Sequence, residues 1–256
     1  MAATLASMHT KINDTRYANA LYCEAEGLEL LREAVTLAGV KELKVPEVFS
    51  VSEGQLQMTE VDASPPSDTL FQALGKGLAL IHRLPQSHVG FHRDNYIGLN
   101  PQKNCESDNW GDFFLEYRLG YQVGMISDAR LREQFSEVLH LKGDILAAWL
   151  NEHTGASALL HGDLWSGNVI FDRASSWLID PAVYYGDPEA DLAMTEMFGG
   201  FGKPFYQAYE AVRPLSALYG RKREIYNLYH FLNHYNLFGG AYLASCQKAF
   251  NSIENL

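Results

Sequence analysis

Two short apolar runs joined by a tight turn constrain the fold of this chain more than any other feature of its sequence. The runs are NVIFD (168–172) and SWLID (176–180), with a turn around RASS. Their composition predicts two antiparallel strands of a hairpin. Because a hairpin returns the chain to its starting point, we expect Asn168 and Asp180 to lie at the same end of the ribbon.

The composition of the 256 residues excludes several functional classes. A net charge of −11 argues against a nucleic-acid partner, which would require a basic face. Three cysteines far apart in sequence, without a C-x-x-C pair, argue against a zinc site and a disulfide framework. No apolar run is long enough for a membrane span, and the first residues lack a signal-peptide core. These features predict a cytoplasmic protein.

The spacing of apolar residues predicts a small α+β part at the start of the chain. Apolar positions at helical spacing run from Leu21 to Val35, and Gly39 follows as a stop. Two strand-like segments follow at 45–51 and 55–61. We place a boundary in the proline-containing linker DASPPSD, which divides the chain into a lobe at 1–62 and a lobe at 63–256.

The second lobe is predicted to be mostly helical, with the hairpin inserted in it. One amphipathic helix begins after the N-cap candidate Ser67, and a second occupies 127–153 with Ser127 or Asp128 as its cap. The remainder to Leu256 is rich in aromatic residues and has helical character. The predicted fold class is therefore α+β with two lobes.

The polar residues around the hairpin match the requirements of phosphoryl transfer. Such a reaction needs a carboxylate close to the acceptor hydroxyl and hard oxygen ligands for Mg²⁺ on the phosphates. Asp163 is placed for the first task, and Asn168 and Asp180 for the second. A single acid would be explained equally well as a surface residue. The joint spacing of all three favours a magnesium-dependent site.

Two segments resemble the fructosamine kinase (ketosamine-3-kinase) family. They are HGDLWSGN (161–168) and IDPAVYYGDPEADLAM (179–194), and the resemblance continues at 89–98, 110–119 and 228–242. This family belongs to a protein-kinase-like group that includes aminoglycoside phosphotransferases and choline kinases. The resemblance implies a two-lobed protein-kinase-like fold and ATP-dependent phosphorylation of a sugar hydroxyl on a glycated amine.

The resemblance also implies roles for individual residues of the loop. Asp163 corresponds to the catalytic base, and the magnesium ligands are again Asn168 and Asp180. His161 resembles a structural histidine that anchors the loop. Two further acids, Asp187 and Asp191, resemble carboxylates that brace the loop by accepting backbone N–H bonds.

A kinase also needs a lysine on the phosphates and an acid that holds this lysine. The sequence offers Lys11, with Glu24 or Glu26 on the following helix, and the resemblance favours Glu24. The segment MTEV falls where the hinge between the lobes is expected. Its backbone is predicted to bind the adenine of ATP, although a plain edge strand would have the same sequence. The three predicted hinge residues are Met58, Glu60 and Val61.

The chain departs from the family pattern at its start. Only ten residues precede Lys11, and MAATLASMH contains no glycine for a hairpin that covers the phosphates. Loss of that hairpin would remove phosphate contacts and expose the reaction to water. We therefore expect reduced ATP affinity and a mobile first lobe.

The acceptor side is predicted from polar and aromatic residues. The candidate acceptor-binding residues are Asp94, Asn95, Trp165 and His234. A surface loop or core packing would explain each of them equally well. The predicted acceptor is a small-molecule ketosamine or a glycated lysine of a protein. The alternatives are an aminoglycoside- or choline-type phosphotransferase and a kinase-like binding protein without turnover, and the oligomeric state is left open.

Overall fold

A small antiparallel sheet packed against one long helix forms the start of the structure, a computed structural model that describes residues 7–256. The elements are β1 (Met8–Ile12), α1 (Ala20–Leu37), β2 (Leu43–Lys44), β3 (Val48–Val51) and β4 (Gln55–Thr59). Strand β4 lies in the middle, with β1 on one side and β3 on the other, both antiparallel to it. Strand β3 begins later than predicted, because Pro46 just before it cannot donate a ladder hydrogen bond.

Helix α1 follows the predicted pattern closely. Its buried face includes Leu21, Leu28, Leu31 and Val35. Gly39 follows the helix in the left-handed region, with φ of +66°. Glycine adopts this conformation without steric cost, so the predicted end of the helix is confirmed.

The rest of the chain is mostly helical with short strands between the helices. The helices are α2 (Asp68–Ile81), α3 (Trp110–Phe113), a π-helix (Phe114–Gly120), α4 (Tyr121–Gly124), α5 (Ala129–His153), α6 (Glu189–Thr195), α7 (Lys203–Val212), α8 (Tyr219–Phe238) and α9 (Leu243–Glu254), with 3₁₀ turns at Ser166–Asn168 and Gly240–Tyr242. The strands are β5 (Val89–Gly90), β6 (Asn95–Ile97), β7 (Asn100–Gln102), β8 (Glu106–Ser107), β9 (Ala158–Leu160), β10 (Val169–Phe171), β11 (Ser176–Leu178) and β12 (Tyr184–Gly186).

The caps of two helices agree with the sequence. The side chain of Ser67 accepts a hydrogen bond from the N–H of Leu70 at the start of α2. At the start of α5 the cap is Asp128, which accepts from the N–H groups of Arg130 and Leu131 at 2.9 and 3.0 Å. Between the two predicted candidates, the structure therefore selects Asp128 over Ser127.

The predicted hairpin is present and joins the two parts of the chain. Strand β10 pairs with β11 in antiparallel register, with Val169 opposite Leu178. Strand β11 also pairs in parallel with β2 from the start of the chain. One sheet therefore contains strands from both sides of residue 62. The division into two lobes at this residue stays a prediction.

The prediction of a missing phosphate-covering hairpin rests on the residues before Lys11, and residues 1–6 lie outside the part that the structure describes. Within residues 7–256, no helix has both the length and the apolar character needed to cross a bilayer.

We predict that Gly75→Ala destabilises the protein by about 1–3 kcal/mol, the usual range for overpacking. A Cβ at Gly75 on α2 would lie 2.1 Å from the carbonyl oxygen of Phe205 on α7, so the two helices would have to separate. Urea unfolding measures the loss. Gly124→Ala is the matched control, since its added Cβ would meet no described atom within 4 Å beyond its chain neighbours and its own helix backbone. Equal stability of the two variants would contradict the prediction.

Candidate active site

One cavity of about 390 Å³ collects most of the predicted site residues. It lies between α1 and β1 on one side and the segments around the hairpin and α8 on the other. The predicted residues that line it are Lys11, Glu24, Asn95, Asp163, Trp165, Asn168, Asp180 and His234. The fold therefore brings together residues that are up to 223 positions apart in sequence, from 11 to 234.

The loop that carries Asp163 is held by a buried carboxylate. Asp191 on α6 accepts hydrogen bonds from the N–H groups of His161 and Gly162 at 2.7 and 2.9 Å. Gly162 has φ of +82°, and a Cβ there would lie 2.0 Å from the carbonyl oxygen of Ala182. The bracing role predicted for Asp191 is confirmed by these contacts.

His161 anchors the same loop to the hairpin. Its Nε2 lies 2.9 Å from the carbonyl oxygen of Ile179, and its Nδ1 accepts a hydrogen bond from the N–H of Asp163. These contacts assign the ring proton to Nε2. Burial lowers the pKa of His161, so the ring is neutral at pH 7. The predicted anchoring role is confirmed.

The carboxyl group of Asp163 is poised to titrate near neutrality. Burial raises the pKa of Asp163 to about 7, and the nearby charges of Asp180 and Asp191 add to this effect. The side-chain N–H of Asn168 opposes it by donating to the carboxylate at 3.1 Å. The same amide also donates to the backbone carbonyl of Asp163 at 2.8 Å. Such a carboxylate can hold a hydroxyl and accept its proton.

Asp180 is another acid that lines the cavity, and it contacts the predicted lysine. It lies two residues beyond β11 with φ of +51°, a conformation that Asp tolerates better than most residues. The Nζ of Lys11 is 2.9 Å from Asp180 Oδ1 and 2.8 Å from Glu24 Oε2. Burial works to lower the pKa of Lys11, but the charges of Glu24 and Asp180 outweigh it and raise the pKa. The cation is therefore retained inside the cavity.

The side-chain oxygens of Asn168 and Asp180 are of the kind that Mg²⁺ prefers as ligands. The amide nitrogen of Asn168 is committed to Asp163, while its Oδ1 accepts no hydrogen bond from residues 7–256. Within the same residues there is no group of three or more His, Cys, Asp or Glu that could hold a metal. Mg²⁺ needs no such group, because it typically binds one or two protein oxygens together with phosphates and water.

An aromatic wall borders the cavity near Asp163. Trp165 is 37% exposed and meets the ring of Phe198 edge-on at 5.7 Å. The ring of His234 lies 5.3 Å from Phe198 and 5.7 Å from Phe238. Sequence reasoning missed Phe198 and Phe238. For Phe238 a signal was present, because it follows His234 by four residues on α8 and so shares its helical face.

Asp94, one of the predicted acceptor-binding residues, does not line the cavity, whereas the adjacent Asn95 does. Its carboxylate accepts hydrogen bonds from Lys103 Nζ at 2.5 Å and from the N–H of Asn104 at 2.9 Å. Asn95 lines the cavity, and its Nδ2 donates to the carbonyl oxygen of Val183 at 2.8 Å. The carboxylate of Asp94 is therefore bonded to Lys103 and Asn104 of its own loop and does not face the cavity.

The predicted hinge residues also lie outside the cavity lining. Met58 is an interior position of β4, opposite His9 in β1 and Val48 in β3. The N–H of Glu60 donates to the carbonyl of Ser7 at 2.9 Å. Val61 follows β4, and the adenine-binding role of this segment stays a prediction.

Comparison with known proteins gives three consistent findings. The family model described as fructosamine kinase matches residues 2–255. A probable ketoamine kinase of Vibrio parahaemolyticus is 40% identical over 252 residues, which covers 95% of this chain and 83% of that protein. The crystal structure of a candidate fructosamine-3-kinase from Thermobifida fusca has a TM-score of 0.83 at 27% identity, covering 97% of this chain and 86% of that one.

A more distant structure shows how widely the fold is shared. The ADP-bound aminoglycoside phosphotransferase APH(2'')-Ib has a TM-score of 0.61 at 18% identity and covers 96% of this chain and 86% of its own. At this identity the likeness concerns the fold alone. The predicted fold class, a two-lobed α+β protein-kinase-like fold, is confirmed.

We predict that Asp163 titrates near pH 7 in ¹³C NMR spectra of protein labelled at aspartate carboxyls. Asp180→Asn should lower this pKa, because it removes a negative charge that favours the protonated form. Asp172 is the internal reference. Burial acts to raise its pKa, but hydrogen bonds, led by that from the N–H of Ala174, bring it below the usual range. Titration of Asp163 near pH 4 would contradict the prediction.

Proposed function

The chain belongs to the fructosamine kinase family, and on that premise we propose that it transfers the γ-phosphoryl group of ATP to a sugar hydroxyl of a ketosamine. It is a kinase-type phosphotransferase, and its family implies the use of ATP. One observation carries the proposal. Three residues of the hairpin region, Asp163, Asn168 and Asp180, line the same cavity as the ion pair of Lys11 with Glu24.

In this proposal Asp163 acts on the acceptor hydroxyl. The carboxylate orients the hydroxyl toward the γ-phosphorus and takes its proton as the new O–P bond forms and the bond to the ADP oxygen breaks. A pKa of about 7 suits this task, because the group is substantially ionised at neutral pH and still basic enough to hold a proton. The activity should therefore fall as the pH decreases below 7.

Lys11 provides the positive charge for the phosphates of ATP. Its Nζ is held by both carboxylate oxygens of Glu24, at 2.8 and 2.9 Å. The third contact, with Asp180, places the ammonium group beside the proposed metal ligand. Phosphate oxygens that enter the cavity would meet a cation already fixed in position.

Asn168 and Asp180 would hold Mg²⁺ through the amide oxygen and the carboxylate. When bound, this ion neutralises charge on the β- and γ-phosphates during transfer. The hairpin register sets the two ligands at one end of the ribbon, since the N–H of Ile179 donates to the carbonyl oxygen of Asn168 at 3.1 Å. The adenine of ATP would lie against the segment that follows β4, at Val61.

The acceptor would bind between Asp163 and the aromatic wall. Trp165 has an exposed ring beside the catalytic loop, and sugars pack well against such faces. His234 adds a polar group to the same cavity. The predicted role of Asn95 in acceptor binding is not supported, because its buried side chain is bonded to Val183, Gln102 and Asn104. The relative from Vibrio parahaemolyticus is named a ketoamine kinase, which supports a ketosamine as acceptor, either free or on a lysine of a glycated protein.

Asp163→Ala is expected to reduce kcat for a small fructosamine by about 10²–10⁴-fold, the range for loss of a positioned base. The measurement is ADP release with ATP, Mg²⁺ and the fructosamine. The control is Asp144→Ala, which removes an exposed acid from α5. An unchanged rate for Asp163→Ala would remove this residue from the mechanism.

The acceptor class is tested in the same assay with an aminoglycoside and choline as competing acceptors. We expect turnover with fructosamine and none with the other two. Turnover with the aminoglycoside alone would contradict the proposal and indicate an aminoglycoside phosphotransferase. Nucleotide binding without any product would favour the alternative of a binding protein.

Trp165→Ala should raise KM for the fructosamine by about three- to ten-fold, which corresponds to the loss of an aromatic contact of roughly 0.5–1.5 kcal/mol. The KM for ATP should be unchanged, because the ring lies on the acceptor side. Trp149→Ala on α5 provides the matched control, since Trp149 is not a cavity-lining residue. Equal effects on both KM values would contradict the assignment.

A further inference from the structure

The direction of the Asp180 carboxylate depends on the backbone that follows it. Asp180 has φ of +51°, which is unfavourable for a residue with a side chain and persists only where the surroundings enforce it. Its side chain is 43% exposed, and the hydrogen-bond partner it has among residues 7–256 is Lys11. Packing constrains the carboxylate only in part, so its position also depends on the backbone on either side, at Ile179 and in the segment 181–183.

Side-chain amides hold two carbonyl groups of this segment. Gln102 donates to the carbonyl oxygen of Ala182 at 3.0 Å, and Asn95 donates to that of Val183 at 2.8 Å. The N–H of Ala182 in turn donates to the carbonyl oxygen of His161 at 2.8 Å. Ala182 is therefore held from both sides, by the catalytic loop and by the loop that carries Gln102.

A chain of hydrogen bonds sets the orientation of these amides. Arg118 donates to Asn104 Oδ1, and Asn104 Nδ2 donates to Asn95 Oδ1, both at 2.8 Å. Asn95 Nδ2 then donates to Val183, while Gln102 Nε2 also donates to Asn95 Oδ1 at 2.8 Å. Arginine has donors only, so each amide in the chain must present its oxygen toward Arg118 and its nitrogen toward the Asp180 segment.

A tyrosine hydroxyl sets the orientation of Gln102 from a second direction. Tyr229 on α8 donates to Gln102 Oε1 at 2.6 Å. Burial raises the pKa of Tyr229, so the phenol keeps its proton. With its oxygen occupied in this way, Gln102 directs both N–H groups at Asn95 and Ala182.

Arg118 is a buried cation whose hydrogen-bond partners are neutral oxygens. It donates to the carbonyl oxygens of Lys103 and Tyr117 and to Asn104 Oδ1, and no carboxylate of residues 7–256 forms an ion pair with it. The guanidinium stacks on the rings of Tyr184 at 4.0 Å and Phe113 at 4.6 Å, and it lies in the π-helix. Burial of an arginine without a carboxylate is costly, and short π-helices occur often at functional sites.

We infer that Arg118 and Gln102 are positioning residues, which act through Asn95 and Ala182 to hold the Asp180 carboxylate in place for the divalent cation. The inference rests on the proposed role of Asp180 as a metal ligand. Changes in the residues that support metal ligands typically weaken metal affinity by about 10–100-fold. Gln102→Met keeps the approximate size of the side chain and removes its hydrogen bonds. Arg118→Met removes the donor at the far end of the hydrogen-bond chain.

The test is Mn²⁺ binding, followed by electron paramagnetic resonance in the presence of a non-hydrolysable ATP analogue. Gln102→Met and Arg118→Met should each weaken Mn²⁺ affinity by about ten-fold or more. The matched control is Thr195→Val, because Thr195 is a buried polar residue whose hydroxyl donates to the carbonyl oxygen of Leu192 and does not line the cavity. It should lower the melting temperature without changing Mn²⁺ affinity.

Three further outcomes separate the possible failures. If Asp180→Asn leaves Mn²⁺ affinity unchanged, the proposed metal role itself fails. If Asp180→Asn weakens Mn²⁺ binding while Gln102→Met does not, only the positioning inference is overturned. Equal weakening by Gln102→Met and Thr195→Val would also overturn it. Circular dichroism shows which variants are folded, and Gln102→Met carries the test if Arg118→Met does not fold.

Discussion

The rest of the site depends on the hydrogen bonds that the buried carboxylate of Asp191 accepts. It accepts the N–H groups of His161 and Gly162, and His82 Nε2 lies 3.3 Å from its Oδ2. Burial acts to raise the pKa of Asp191, but the adjacent His82 imidazole and the hydrogen bond from the N–H of Gly162 outweigh it and lower the pKa. Asp191 is therefore ionised, and ionised acceptors form strong hydrogen bonds to backbone N–H groups in a medium of low polarity.

From Asp191, hydrogen bonds lead to Asp163 and to the residue before Asp180. His161 ties the loop to the carbonyl of Ile179, the residue before Asp180. The loop and the hairpin are thus one unit, and Asp163 and Asp180 face the same space. Their mutual repulsion contributes to the raised pKa of Asp163, and Lys11 supplies the opposite charge next to Asp180. The same geometry that would bind a metal also tunes the proposed base.

Much of the fold and of the site could be predicted from local patterns. Helix α2 begins at its Ser67 cap, and the hairpin pairs in the register that its two apolar runs require. The grouping of Asn168 and Asp180 followed from that hairpin, and Asp163 was assigned from its place in the loop five residues before Asn168. Asp94 was predicted on polarity alone, and polarity does not distinguish a cavity-lining residue from one bonded within its own loop. Arg118 escaped notice because nothing local marks an arginine as buried.

The sequence by itself determined the elements whose hydrogen bonds close over a few residues, namely the helices, their caps and the hairpin. It also determined which chemical groups were available, because Asn168 and Asp180 stand at the two ends of the hairpin and Asp163 lies in the loop just before it. Only the tertiary structure decided that Lys11 meets Asp180, 169 residues away, and that a chain of amides connects Arg118 to the segment after Asp180. The physical reason is that burial and long-range contacts depend on how all the elements pack together. Burial and these contacts then set the pKa values and the side-chain orientations in the cavity.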